Sequence, residues 1–258
     1  MQLIINILIF LIIFIIYLQI INHTTIQNFE NIYESDFLNN NNLQSTCSLY
    51  KPFIFDYNFN SPNNIISRIT NNKLFKINIY HSNDSKKIKT IPYKKSCKLF
   101  YTGENKYYTF KNNTNIVNSD LNSLFIAFNK DLKPYFNCQT NYDLITGNKY
   151  SITPIINHTF YSAFFYVLKG NAKFKLINYD IQNKYNYDLK DIWNKKNNCP
   201  IVNATLNSNK ILFLPPKHFT SIKFLTSDTI VLVFYYNTII SASCNIFNKV
   251  LNDSILNN

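Results

Sequence analysis

From residue 150 to residue 236 the chain repeats one kind of unit: a short β-branched or aromatic run, then a break rich in Asn, Ser, Asp or Pro. Tyr150–Asn157 is the first run. Ala163–Leu168 is continuous and apolar, as a strand buried on both faces should be. Lys169-Gly170-Asn171 reads as a turn, with Gly170 free to take a positive φ. In the next run Lys173 and Lys175 alternate with Phe174 and Leu176, the pattern of a half-buried strand. Ile201–Leu206, Ile211–Leu214, Ser221–Leu225 and Thr229–Tyr236 follow, and Pro215-Pro216 ends one of them. Strands this short and this regularly spaced predict a sandwich or a barrel.

The preceding region reads the same way, with strands expected over Phe53–Phe59, Leu74–Tyr80, Tyr107–Lys111 and Leu124–Phe128. Only Asn245–Leu251 looks helical. The expected fold class is all-β, one domain over residues 47–258, with its most informative part at 138–240. The core expected from the runs is Phe164, Tyr166, Leu168, Phe174, Leu176, Leu212, Leu214, Ile230, Leu232 and Phe234.

The N-terminus differs. Residues 3–21 are apolar except for Asn6, Tyr17 and Gln19, and the first charged side chain is Glu30. That length matches the roughly 20 residues that cross a bilayer as a helix. No Ala or Gly occurs before residue 50, so a signal-peptide cleavage site is not expected. Residues 1–22 are therefore read as an uncleaved single-pass anchor and 23–46 as a polar tether. The flanking charges favour a cytosolic N-terminus only weakly.

Composition excludes several classes. The chain has 3 Gly, so no glycine-rich phosphate loop can be written. The net charge of +12 is nearly all Lys, and Arg68 is the sole arginine. Bidentate readout of bases and phosphates favours Arg, so the basic stretch Lys73–Lys98 reads as a solvated face and nucleic acid is not an expected partner. Five widely spaced cysteines without a CxxC form neither a disulfide framework nor a zinc motif. No GxSxG occurs, and no close carboxylate pair falls on an expected strand. The abundance of Asn, Ile, Lys, Phe and Tyr is what AT-rich codons encode.

One segment carries a family resemblance. Gly147-Asn-Lys-Tyr-Ser-Ile-Thr-Pro-Ile-Ile-Asn-His158, followed by Ala-Phe-Phe-Tyr-Val-Leu-Lys-Gly170, resembles the first motif of cupins, and more closely that of the JmjC-type, hydroxylase-like cupins. Asn209-Lys-Ile-Leu-Phe-Leu-Pro-Pro-Lys-His-Phe-Thr-Ser-Ile222 is similar to their second motif, and Leu49-Tyr-Lys-Pro-Phe-Ile-Phe55 to their lead-in. The whole chain, with its N-terminal apolar run, resembles membrane-anchored cupin-like proteins of large DNA viruses.

The resemblance implies a double-stranded β-helix with a site at its mouth. Active members hold iron through two His and a carboxylate, and 2-oxoglutarate through a Lys or similar group. Carried over residue by residue, the first histidine falls on Ile156, the carboxylate on His158 and the late histidine on Thr220. The cupin glutamate falls on Ala163, and the 2-oxoglutarate lysine on Ala172, one residue before Lys173. His218, two residues before Thr220, can share its strand face, and His158 with His218 offers a weak two-nitrogen site as the alternative.

The expectation is a degenerate pocket at Ile156, His158, Thr220 and His218, with no catalytic residue, no metal and no cofactor. Its occupant is expected to be a small apolar ligand or a protein partner, alongside a membrane crossed once, in host or virion. Two readings compete with this membrane-tethered, non-catalytic module: an Fe(II)/2-oxoglutarate oxygenase with an atypical site, and a viral envelope protein with an unrelated jelly roll. Metal content separates the first from the module. The presence of an inner pocket separates the second.

Overall fold

The computed structural model describes residues 2–24, 29, 31–36, 40–57, 62–82, 87–102, 106–178, 192–193 and 201–246. Six helices precede the main run of strands: α1 (Gln2–Thr24), α2 (Asn40–Cys47), α3 (Pro62–Asn71), α4 (Tyr93–Thr102), α5 (Asn113–Val117) and α6 (Asn122–Leu132). The early strands are β1 (Tyr33–Ser35), β2 (Phe53–Asp56), β3 (Lys76–His81), β4 (Lys87–Pro92) and β5 (Tyr107–Thr109). Then come β6 (Asn137–Thr146), β7 (Ile156–His158), β8 (Ser162–Lys169), β9 (Ala172–Asn178), β10 (Val202–Leu206), β11 (Lys210–Leu214), β12 (His218–Phe224) and β13 (Ile230–Thr238).

Two expectations are corrected here. The chain is not all-β: it is mixed α/β, 33% helix and 40% strand, with its strands in several sheets. An all-β double-stranded β-helix behind a transmembrane helix is therefore not its architecture. Residues 3–21 do lie in α1, but among the described residues no helix is long and apolar enough to cross a membrane. The expected single-pass localisation, its orientation, and a host or virion membrane as partner are withdrawn with it.

Sequence pattern explains the missed helices. The run Leu124–Phe128 is apolar enough for a strand but lies in α6, where Leu124, Phe125, Phe128 and Leu132 are buried and Ile126 is exposed. Spacings of three to four residues place those buried side chains on one helical face. In α3, Ile65 and Ile69 do the same, four residues apart, with Pro62 at the helix start where its missing N–H costs nothing. The apolar residues are contiguous in both helices, Ile65-Ile66 and Leu124–Phe128, so a period of 3.6 is faint. The segment read as a tether supplies β1, which pairs in parallel with β2, and α2, whose Leu43 is buried in the core.

Three sheets result. The largest has the order β1-β2-β11-β8-β13-β6, the second β10-β9-β12-β7 and the third β4-β3-β5. Strands β6 to β13 alternate between the first two sheets except at β9 and β10, which are adjacent in the second. One apolar cluster joins one face of the six-stranded sheet to α3, α6 and the small sheet, through Phe164, Tyr166, Leu168, Phe213, Leu232, Phe234, Ile65, Phe125 and Ile77. The other fills the space between the two larger sheets, through Phe165, Val167, Leu212, Leu214, Val231, Val233, Phe174, Leu176 and Ile222. The unbroken apolar runs of β8, β11 and β13 follow from this, because successive side chains serve opposite clusters. All ten expected core residues are buried, divided between the two clusters.

Two local devices hold this arrangement. Gly170 has φ +76° in the β8–β9 turn, and a Cβ there would lie 2.8 Å from the Thr229 Cα. A polar network ties the small sheet to the large one. Asn112 Oδ1 accepts from the Asn78 backbone N–H at 2.8 Å, while Asn112 Nδ2 donates to Asp143 and to the Leu144 carbonyl.

Candidate functional site

Strand register brings the four expected residues together. On β7 and β12, His158 faces His218 and Ile156 faces Thr220 as antiparallel partners. All four side chains are buried. Because side chains two apart on a strand share a face, the four residues converge on one surface of the four-stranded sheet. His218, expected to share the face of Thr220, does so.

Their chemistry is mostly spent on the fold. Thr220 Oγ1 donates to the Lys175 carbonyl at 3.3 Å. His218 Nδ1 lies 3.0 Å from the Pro215 carbonyl, an acceptor only, so Nδ1 carries the proton. The His218 ring packs on Phe29 with centroids 5.0 Å apart. Ala163 and Ala172 are buried between the larger sheets, and neither brings a functional group. Among the described residues no three His, Cys, Asp or Glu side chains gather as a metal site.

His158 is the exception. It is 1% exposed, and neither ring nitrogen has a hydrogen-bond partner. It meets Phe165 edge-on at 5.4 Å and stacks on Tyr235 at 6.0 Å. Tyr235 in turn stacks on Phe160 at 4.6 Å, and its buried hydroxyl is also unpartnered. Burial, and then the neighbouring His218, hold the His158 imidazole down at about 3, so it is neutral at pH 7. Burial, with the Asp143 carboxylate second, pushes the Tyr235 phenol well above its ordinary range.

A cleft of about 530 Å³ opens beside this stack, lined by Ile156, Asn157, Phe160, Tyr235, Phe110 and Asp143 among others. Asp143 was not expected from the sequence. Burial pushes its carboxyl up to about 6, opposed by backbone N–H donors from Asn112, Lys111 and Leu144 and by the Asn112 amide. The donor distances are 2.9, 2.8, 2.8 and 3.1 Å in that order. The one trace it leaves in the sequence is a lone carboxylate inside the apolar stretch Tyr142-Asp143-Leu144-Ile145. Tyr235 and Phe160 gave no such signal in a chain with 19 Tyr and 22 Phe. A larger cleft, about 840 Å³, is lined by Tyr50, Phe136, Tyr161 and Ile239 among others, and contains none of the four expected residues. The smaller cleft carries more weight, because a buried group with unmet hydrogen bonds adjoins it.

No family model matches the chain, and no curated protein matches it. The membrane keywords are corrected, because among the described residues no helix is long and apolar enough to cross a membrane; the expected viral affiliation finds no support in these comparisons.

Proposed function

We propose that the chain is a non-catalytic, cupin-like binding module whose cleft beside Tyr235 takes a small, uncharged, largely apolar ligand. One observation carries the reading: the positions that the resemblance assigns to metal ligands hold Ile156 and Thr220, and the imidazole that remains, His158, is enclosed by aromatic rings. The distribution of β6 to β13 over two facing sheets, inside a mixed α/β chain, supports the cupin-like part, since cupins carry such a double sheet. The cleft volume falls within the roughly 300–1,000 Å³ usual for small-molecule sites. Phe110, Ile155, Ile156, Phe160 and Tyr235 form an apolar and aromatic side that supplies affinity through burial, Lys111, Asn113, Asn141 and Asp143 line the polar side, and the unpartnered Tyr235 hydroxyl supplies one directed hydrogen bond. Neither the neutral His158 nor the protonated Tyr235 offers a full charge to pair with a charged guest.

The test uses the purified full chain and a neutral naphthylamine dye. One dye should bind per chain, and Ile156→Trp, which fills the cleft, should weaken it about tenfold or more with the circular dichroism spectrum unchanged. Stoichiometric Fe(II) binding with succinate formed from 2-oxoglutarate, lost in His158→Ala, overturns the reading in favour of an oxygenase. Dye binding that Ile156→Trp leaves unchanged places the ligand elsewhere.

A further inference from the structure

The outer face of the four-stranded sheet, away from the cleft, carries a strip of lysines. Lys173 and Lys223 are direct register partners on β9 and β12, and Lys175 lies two residues along β9. Like charges placed opposite each other cost stability in a sheet, so such a pair calls for a compensating anion. The ion pairs seen among the described residues fall on Lys169 and Lys210, neither in this strip.

Aromatic rings sit between the ammonium groups. Lys175 Nζ lies 4.7 Å from the centre of Trp193, and Lys223 Nζ lies 5.7 Å from Trp193 and 5.7 Å from Tyr150. Lys149 Nζ, at 5.0 Å from Tyr150, extends the strip. The indole is fixed in place: its N–H donates to Ser221 Oγ at 2.8 Å, and Ser221 donates to the Thr153 carbonyl at 2.7 Å. Trp193 is half-buried and Tyr150 is 49% exposed, so both rings keep accessible surface. Burial, then Lys173 and Lys223, hold the Lys175 ammonium below its usual range.

We propose that this face binds single-stranded nucleic acid without sequence preference, the phosphates on Lys149, Lys173, Lys175 and Lys223 and bases stacked on Trp193 and Tyr150. A strip of repeated positive charge fits a chain of repeated negative charge better than one isolated anion. Interleaved aromatic rings add what an acidic protein or a lipid headgroup does not need, a flat surface for a base. Lys175 Nζ also donates to the Ile192 carbonyl at 2.7 Å, whereas the Lys149 and Lys223 ammonium groups rest on the rings and are those that a phosphate would draw off, which frees a ring face for stacking. Lysine in place of arginine gives phosphate contacts without a bidentate reading of bases, hence no sequence preference. The proposal is independent of the cleft.

Trp193 is the sole tryptophan and reports on the site directly. Titrating the full chain with oligothymidylate of about a dozen nucleotides should quench its fluorescence. The logarithm of affinity should fall with the logarithm of salt at a slope of roughly −2 to −3, for three to four phosphates neutralised. Lys173→Gln with Lys223→Gln should weaken binding about tenfold with the circular dichroism spectrum unchanged, and Lys173→Glu with Lys223→Glu should weaken it further. Oligothymidylate and oligocytidylate should bind within about threefold of each other. No quenching, or quenching that the glutamine pair leaves unchanged, overturns the proposal. Equal quenching by heparin, which has no bases, or by phosphatidylserine vesicles does so too.

Discussion

His158 stacks on Tyr235 with ring centroids 6.0 Å apart and planes 26° from parallel, and neither His158 nitrogen nor the Tyr235 hydroxyl has a hydrogen-bond partner. Each unmet polar atom in such a place costs on the order of 1–3 kcal/mol. A packed core has no use for that cost. A pocket does, because the same atoms become directional contacts once a guest arrives.

Acid should expose His158. Its folded pKa of about 3 lies below the ordinary 6.5, so its contribution to stability is complete above pH 6.5 and is lost as pH falls toward 3. The loss runs at about 1.4 kcal/mol per pH unit. Asp143 acts in the opposite sense. Raised from 3.8 to about 6, its contribution is complete below 3.8 and lost as pH rises through 6. The two slopes offset each other in the wild type between roughly pH 4 and 6. His158→Phe should therefore gain on the wild type by about 1.4 kcal/mol for each pH unit below 6.5. Urea unfolding of both proteins at neutral and at acid pH measures this, and a difference independent of pH would refute it.

Asp143→Ala should be severe. The change strands the backbone N–H groups of Lys111 and Asn112 in a buried setting and loosens the join between the small sheet and the large one. A cost of roughly 3–5 kcal/mol is expected from two unmet donors and the lost charge-assisted bonds. Chemical denaturation at pH 7 gives the value, and a cost below about 1 kcal/mol would remove the carboxylate from the list of structural anchors.

Gly170→Ala should destabilise by about 2 kcal/mol or more, from the positive φ together with a Cβ forced against the Thr229 backbone. Thermal unfolding reads this out. A melting temperature equal to that of the wild type would mean that the turn can relax.

Ile156→His should create a weak metal site. The new imidazole would share a strand face with His158 and lie across from Thr220 and His218, which supplies three nitrogens on two paired strands. Isothermal titration with Ni(II) should show at least about tenfold tighter binding than the wild type. Equal affinities would mean that the rings cannot converge.

The sequence was most legible where one pattern had one meaning. An apolar run of six residues, Ala163–Leu168, followed by a glycine turn and an alternating strand, left little choice, and β8, the Gly170 turn and β9 lie there. Residues 156, 158, 218 and 220 could be set on one face because strand parity is fixed once two strands pair. The helices were not legible for a corresponding reason. Leu124–Phe128 is apolar at every position, so it satisfies both periods, and only burial against Phe234 and Tyr142 decides for helix. Asp143 was invisible as a structural group because its donors come from Lys111 and Asn112, far away in sequence. The lysine strip is not legible as a run of charge along the chain, because Lys149, the β9 pair Lys173 and Lys175, and Lys223 come together only once the strands pair.

The pairing of β6 with β13, and of β2 with β11, also sets a timetable. Asn137–Thr146 waits for Ile230–Thr238, and Phe53–Asp56 waits for Lys210–Leu214. A chain emerging from the ribosome has therefore made most of its apolar strands before the partners of the earliest ones exist. Closure entropy must be met over these long separations before the contacts repay it, which favours slow folding and a long-lived nascent state with open sheet edges. Losing the last strand would do more than shorten the sheet. Because β13 lies between β8 and β6, its absence opens two edges in the middle of the molecule.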